Sequence, residues 1–189
     1  MTGPAPEGAC DADAEAIARV LSGDTEEFRS LLERYEARVL RFVRNVAPRS
    51  TAHEDIAQDV FVSAFVALAS FDVRRGSFLT WLFAIAKNKC INAGRKMAPL
   101  LVARLPIAIA PTTPADELAR AEIRVCLDAA LDGLPEDQRD CFVLAELVGL
   151  TTEQIAEIEG VVTSTVRSRL SRAKAGLRAA LSPLLGEEE

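Results

Sequence analysis

An all-α chain of two small helical domains, joined by an apolar linker that contains prolines, is what this sequence predicts. Three observations point there. The sequence is rich in Ala and Leu while aromatic residues make up only 5% of it, a balance that favours helix. Apolar residues recur every third or fourth position within segments that open on capping residues. One stretch, Met97 to Pro114, breaks that pattern with Pro99, Pro106, Pro111 and Pro114. Apolar residues are 49% of the chain, enough to fill cores, although two domains of about 75 residues each would be marginal alone.

Residues 1–23 read as a loose N-terminal arm with one short helix, about Asp13–Leu21, ended by Ser22 and Gly23. The first domain, residues 24–96, opens at Asp24, which with Glu27 forms a capping-box pattern for a second helix that stops before Pro48. Thr51 with Glu54 repeats the pattern for a third helix, which carries Ile56, Val60, Phe61, Ala64, Phe65 and Leu68 at helical spacing. A turn from Phe71 to Gly76 leads to Ser77, the N-cap of a fourth helix that reaches about Lys96.

The linker, residues 97–114, holds Leu100, Leu101, Val102, Leu105, Ile107 and Ile109, and free linkers are ordinarily polar. It is therefore expected to lie in a groove, with the free chain closing both domains around it. The fifth helix opens at Thr113-Pro114 and leads into the second domain, residues 115–185. A sixth runs from Pro135 to near Gly149, and Thr151 with Gln154 caps a short one. After Gly160, Thr163 or Ser164 caps a long final helix to about Leu181.

The net charge of −6 conceals a segregation. Between Val73 and Lys96 stand Arg74, Arg75, Lys87, Lys89, Arg95 and Lys96 with no acid. Between Val162 and Leu181 stand Arg167, Arg169, Arg172, Lys174 and Arg178, again with no acid. His53 to Asp72 is the reverse, with Glu54, Asp55, Asp59 and Asp72 and no Lys or Arg.

A short helix, a turn containing Gly and a longer basic helix form the helix-turn-helix layout. On the final helix Val166, Leu170, Ala173, Leu177 and Leu181 make one apolar stripe. Ser164, Arg167, Ser171, Lys174 and Arg178 stand on the outer face, with Ser168 and Arg172 beside them. A merely solvated face interleaves acids for i,i+4 pairing, and this one does not. Arg suits guanine edges, while Lys and Ser suit phosphates, so the face is expected in a DNA major groove.

The fourth helix is expected to bury Leu79, Leu82, Phe83, Ala86 and Cys90. Thr80, Trp81, Ala84, Lys87, Asn88 and Arg95 share the opposite arc. A Trp with an amide and cations, preceded by a basic loop, is equipment for binding a single strand: a ring for stacking and charges for phosphates. The alternative is that Trp81 is ordinary core.

Two runs carry a family resemblance. His53-Glu54-Asp55-Ile56-Ala57-Gln58-Asp59-Val60-Phe61, with Phe71-Asp72, Arg75 to Leu82 and Ile85 to Asn88, resembles the second conserved region of extracytoplasmic-function sigma factors. Leu134 to Arg139, Glu153 to Glu157 and Thr165 to Lys174 resemble the fourth. The resemblance implies that Asp55, Gln58, Asp59 and Phe61 dock on the clamp helices of the largest subunit of core RNA polymerase, with the β flap as a further partner. It implies that the segment from Phe71 to Arg95, including Arg74, Arg75, Thr80, Trp81, Lys87 and Asn88, melts and reads the −10 element of promoter DNA. Ser164, Thr165, Arg167, Ser168, Ser171, Arg172 and Lys174 would read the −35 element. The linker would thread the polymerase's active-site and RNA-exit channel, and a cognate anti-sigma factor is implied as a partner. The sequence departs from the family's pattern at Ala84, where Arg is frequent, at Asn92-Ala93-Gly94, and at Glu159, Val162 and Ser164 in the helix-turn-helix.

Other classes are disfavoured. Residues 1–16 lack an apolar signal core, and the apolar runs are shorter than the roughly 20 residues of a membrane span, so a cytoplasmic protein without membrane insertion is expected. Cys10, Cys90, Cys126 and Cys141 form no close pair and His53 is the only histidine, so neither a metal site, a cofactor nor an enzyme is expected. A helix-turn-helix activator would explain residues 134–181 but leave the run from 53 to 96 without a task. A helical scaffold would need neither basic patch.

Overall fold

Helix α2, Phe28–Val46, is the element around which the others assemble. Its Phe28, Leu31, Tyr35, Val39, Phe42, Val43 and Val46 return every three or four positions and all are buried. In the computed structural model, residues 8–49, 51–97 and 125–185 are described. Helices α1 (Gly8–Leu21), α3 (His53–Ala67) and α4 (Phe78–Met97) complete the first domain. The second holds α5 over residues 125–132, α6 (Glu136–Phe142), α7 (Thr152–Glu159) and α8 (Thr163–Leu185). Among the described residues there is no strand. The linker from residue 98 and the expected helix start at Thr113-Pro114 lie outside them.

The N-terminal helix is not a loose arm. It begins at Gly8, earlier than expected, and lays Ala16, Ile17 and Val20 into the core. Asp13, buried beneath it, is held by the Arg34 guanidinium and accepts from the Tyr35 hydroxyl. A buried carboxylate needs such partners, and both lie on α2, so the arm is tied to the domain.

Caps were read correctly where nothing competed. Thr151 and Gln154 form a reciprocal capping box on α7, and Ser77 Oγ accepts from the Thr80 N–H at the start of α4. Asp24 caps nothing, because it pairs with Arg19 at 2.7 Å, and a 3-10 turn, Thr25–Glu27, precedes α2. Thr51 turns its hydroxyl to the Pro48 carbonyl, while Glu54 pairs with Arg44 at 2.6 Å. Tertiary and neighbouring charges claimed these side chains before the helix ends did.

The two domains close on each other and share one core. Phe83, Ala86 and Cys90 of the first are buried in the same apolar cluster as Cys141, Leu144, Ile155 and Val166 of the second. The sharing relieves the size limit that would leave each domain marginal alone. After α6 the helix widens into a π turn, Val143–Val148, that packs on α2. Its last carbonyls lack helical donors, and α2 supplies them. Arg38 Nε donates to the Val148 oxygen at 3.0 Å and Arg41 Nη1 to the Leu147 oxygen at 3.1 Å. Cations at a helix C-terminus also meet its dipole favourably. Further along, Arg49 Nε pairs with Asp132 at 2.6 Å.

Asp140 of α6 lies at this junction with 2% of its surface exposed. Burial, with Glu159 of α7 adding to it against Lys87 of α4 and Arg139, raises its carboxyl to about 7; Glu136 acts in the same direction as Glu159. Between about pH 4 and pH 7 the folded chain therefore holds a proton that the unfolded chain has released, so stability falls as pH rises through that window. Asp140→Asn removes this slope. Thermal melts at pH 5 and pH 8 should show the variant gaining on wild type as pH rises, and a constant difference in Tm would count against a raised carboxyl at this position.

Candidate nucleic-acid interface

Two cationic faces emerge from this packing, one on each domain. On α8 the apolar stripe faces inward, with Val166 and Ala173 inaccessible and Leu177 nearly so. Ser164, Arg167, Ser171, Arg172, Lys174 and Arg178 stand exposed on the other side, and Thr165 and Ser168 are half-buried at its edge. Gly160, at φ 66°, turns the chain between α7 and α8 in a conformation costly to residues with a Cβ. Arg167 lies 3.8 Å from Glu153, and Lys174 lies 2.8 Å from Glu146, both pairs well exposed. Exposed pairs contribute little, so DNA phosphates can replace the acids. Arg169 differs: half-buried at the domain junction, it pairs with Asp137 at 2.9 Å and Glu159 at 3.4 Å.

The face on α4 is partly covered. Trp81 packs against Phe71 and Phe78 at ring separations of 5.3 and 5.7 Å and is half-buried. Arg75, Asn88 and Arg95 are exposed, and Arg74 is exposed while paired with Asp72 at 3.0 Å. Thr80, expected on the exposed arc, is instead buried at 3% exposure, its hydroxyl 2.9 Å from that of Ser77. Lys87 is tucked against α7, with Nζ 2.6 Å from Glu159 Oε1. Both corrections have one cause: α4 is packed on the first domain's core and on α7, so its wheel has less free arc than periodicity suggests.

A third face lies on α3. Asp55, Gln58 and Asp59 are exposed as expected, and Phe61 is not. Phe61 joins Ala57, Val60 and Ala64 on the buried side. In its place Val62, 61% exposed, and Val66, 78% exposed, continue the stripe begun by Asp55, Gln58 and Asp59. The spacing 55, 58, 59, 62, 66 is one helical face and was readable from the sequence, although Val62 and Val66 stood in neither the expected apolar stripe nor the expected docking set. Between α3 and α4 a cleft of about 460 Å³ brings Asp59 beside Lys89 and Arg95. The buried thiols of Cys90 and Cys141 are pushed up to about 12 and about 11, chiefly by desolvation, which leaves them poor nucleophiles.

The family model for Sigma-70 region 2 matches residues 31–98, which contain most of α2 and all of α3 and α4, and that for Sigma-70, region 4 matches residues 124–177, which contain α5 to α7 and most of α8. Over 93% of this chain and 96% of the relative, the sequence is 31% identical to the RNA polymerase sigma-H factor of Pseudomonas aeruginosa. The ECF RNA polymerase sigma-E factor of Escherichia coli K12 is 32% identical over 92% of this chain and 96% of its own length. The chain belongs to the extracytoplasmic-function group of the sigma-70 family. As a sigma factor it directs transcription initiation, and its work is binding rather than catalysis. Among solved structures, CnrH in complex with the cytosolic domain of CnrY superimposes with a TM-score of 0.70 at 28% identity, covering 91% of this chain and 98% of that one. The sigma factor RpoE with the anti-sigma factor NepR from Bartonella quintana superimposes at 0.68 over 83% of this chain and 98% of its own, at 24% identity, and so supports the fold alone.

If α8 of the sigma factor reads bases, truncating a reading side chain relaxes one position of the site. Arg167→Ala and Arg172→Ala should each lose about 1–3 kcal/mol of discrimination there. Selection of bound duplexes from a random pool by the reconstituted holoenzyme measures this. Unchanged sequence preference in both variants would take α8 out of base reading.

Proposed function

We propose that this sigma factor divides its task among the three faces. The stripe of Asp55, Gln58, Asp59, Val62 and Val66 docks on a basic, partly apolar surface of core RNA polymerase, the clamp helices of the largest subunit. The turn from Phe71 and the face of α4 bearing Trp81, Lys87, Asn88 and Arg95 melt and read the non-template strand of the −10 element. The outer face of α8, with Ser164, Thr165, Arg167, Ser168, Ser171, Arg172 and Lys174, reads the −35 element, and the second domain also meets the β flap. The apolar linker threads the polymerase channel. A cytoplasmic location and an anti-sigma partner complete this reading. No helix of the described residues is long and apolar enough to cross a membrane.

The observation that carries the assignment is the separation of chemistry by face. Two cation-bearing faces suit polyanions, and the α3 stripe pairs exposed acids with exposed valines and carries no cation. A stripe that is apolar at one end and acidic at the other fits a protein partner better than water.

Core-polymerase pull-down with promoter-directed transcription tests the proposal. Asp55→Lys with Asp59→Lys should weaken retention and flatten its salt dependence, because the acids supply the screened part of the interaction. Val62→Ser with Val66→Ser should weaken it about tenfold or more at every salt concentration, since full burial of each side chain is worth about 1.5–3 kcal/mol. Retention equal to wild type in both double variants would mean that α3 is only solvated surface.

A further inference from the structure

A path of aromatic rings runs from the buried carboxylate of α1 to the surface assigned to single-stranded DNA. Asp13 accepts from the Tyr35 hydroxyl of α2. The Tyr35 ring lies 5.7 Å from that of Phe78, the first residue of α4. Phe78 in turn lies 5.8 Å from Phe71 and 5.7 Å from Trp81, whose own rings are 5.3 Å apart. Burial falls along this path. Tyr35 and Phe78 are 3% and 2% exposed, whereas Phe71 and Trp81 are half-buried and reach solvent.

We propose that Asp13 is a positioning residue for strand reading: by holding the Tyr35 hydroxyl it sets the ring behind Phe78, and through Phe78 it fixes the angle at which Phe71 and Trp81 meet an unpaired base. The proposal rests on the strand-reading role assigned to Phe71 and Trp81. Asp13 itself stays buried and acts only through the rings.

The backbone at the start of α4 is already fixed, so the ring planes are what remains to be set. Ser77 Oγ accepts from the Thr80 N–H at 3.1 Å, and the Ser77 carbonyl accepts from the Trp81 N–H at 3.1 Å. These bonds fix where Phe78 and Trp81 leave the helix but not how their rings turn. Neighbouring rings do that. Phe78 stands at 90° to Phe71 and at 41° to Trp81, so an edge meets a face on one side and the rings tilt together on the other. Phe78 cannot turn without displacing both, and Tyr35 closes its inner side.

Tyr35 brings a hydroxyl into this apolar path, and a buried hydroxyl without a partner is costly. The Asp13 carboxylate, 5% exposed, satisfies it, and Arg34 pairs with the carboxylate. Desolvation, and then the bond to Asp13, hold the hydroxyl protonated far above the ordinary phenol range, so it remains a donor. A hydrogen bond is directional, and this one restricts how the ring can sit. Helix α1 also packs on both flanks of the reading loop, against the Leu68–Ser70 turn before it and against α4 after it.

Trp81 is the only tryptophan of the chain, so its fluorescence reports on the end of the path alone. Tyr35→Phe keeps the ring and removes the hydroxyl, while Asp13→Leu removes the acceptor. Each should move Trp81 emission to longer wavelength and raise its quenching by acrylamide. Opening is then followed in the reconstituted holoenzyme, on a duplex that wild type selects from a random pool, by permanganate attack on unpaired thymines. Each variant should slow it by about fivefold or more, within the range that stacking of one base contributes. Initial binding of the closed duplex through α8 should stay at the wild-type level. The double variant, Asp13→Leu with Tyr35→Phe, removes both partners of the buried bond and should recover melting temperature without recovering opening. Wild-type emission and opening in both single variants overturn the proposal. So does opening that returns with melting temperature in the double variant, which would make the bond structural alone. If Asp13→Leu does not fold, Tyr35→Phe decides. Failure of the underlying reading is distinguishable, because Trp81→Ala would then open the duplex at the wild-type rate.

Discussion

A carboxylate buried between two helical domains dictates where the neighbouring cations go, and much else in the structure follows from that. Glu159 draws Lys87 from one domain and Arg169 from its own. The apolar cluster that includes Phe83, Cys90, Leu144 and Ile155 supplies most of the driving force for closure, but apolar contact is non-directional. The charges select the register. Glu159 at one place, Arg38 and Arg41 on the π-turn carbonyls at another, and Arg49 on Asp132 at a third are directional contacts that tie α2, the residues after it and α4 to the second domain. A buried ion pair gives little net stability against an apolar substitute, yet it specifies geometry. A joint of that kind suits a protein that must hold one closed form and still release it.

Closure treats the two reading faces unequally. The outer face of α8 keeps its cations in solvent or in weak exposed pairs, whereas α4 loses Lys87 to the junction and has α7 laid across the loop before it. On the proposed reading, a duplex can meet α8 in the closed form without rearrangement, while a single strand on α4 must wait for separation. The stripe on α3 lies outside this conflict, since Asp55, Asp59, Val62 and Val66 remain exposed. If core polymerase docks there as proposed, it meets that stripe without first parting the domains.

The sequence made the helices and the outer face of α8 legible because both depend on local quantities: a 3.6-residue period, a capping box at Thr151, a turn at Gly160. What it concealed depends on neighbours. Periodicity names the apolar side of α4 but not how many elements cover it, so Thr80 and Lys87 were expected in solvent. On α3 Phe61 was expected both in the apolar stripe and in the docking set, and only the packing shows that it is buried whereas Val62 and Val66 are exposed. Asp24 and Thr51 have the right residue type for caps, but an ion pair and a carbonyl, respectively, hold them elsewhere. The tie of α1 through Asp13 to Arg34 and Tyr35 spans more than 20 positions and leaves no local pattern.

On the proposed reading, the free chain is closed over the cationic face of α4 and core polymerase opens it. Fluorescence energy transfer between dyes at the exposed positions Arg29 on α2 and Arg178 on α8 tests this most directly, as core polymerase is titrated into the full chain. High transfer in the free protein that falls to a low plateau at stoichiometric core is the result this account predicts. Low transfer in the free protein, unaltered by core polymerase, would contradict it.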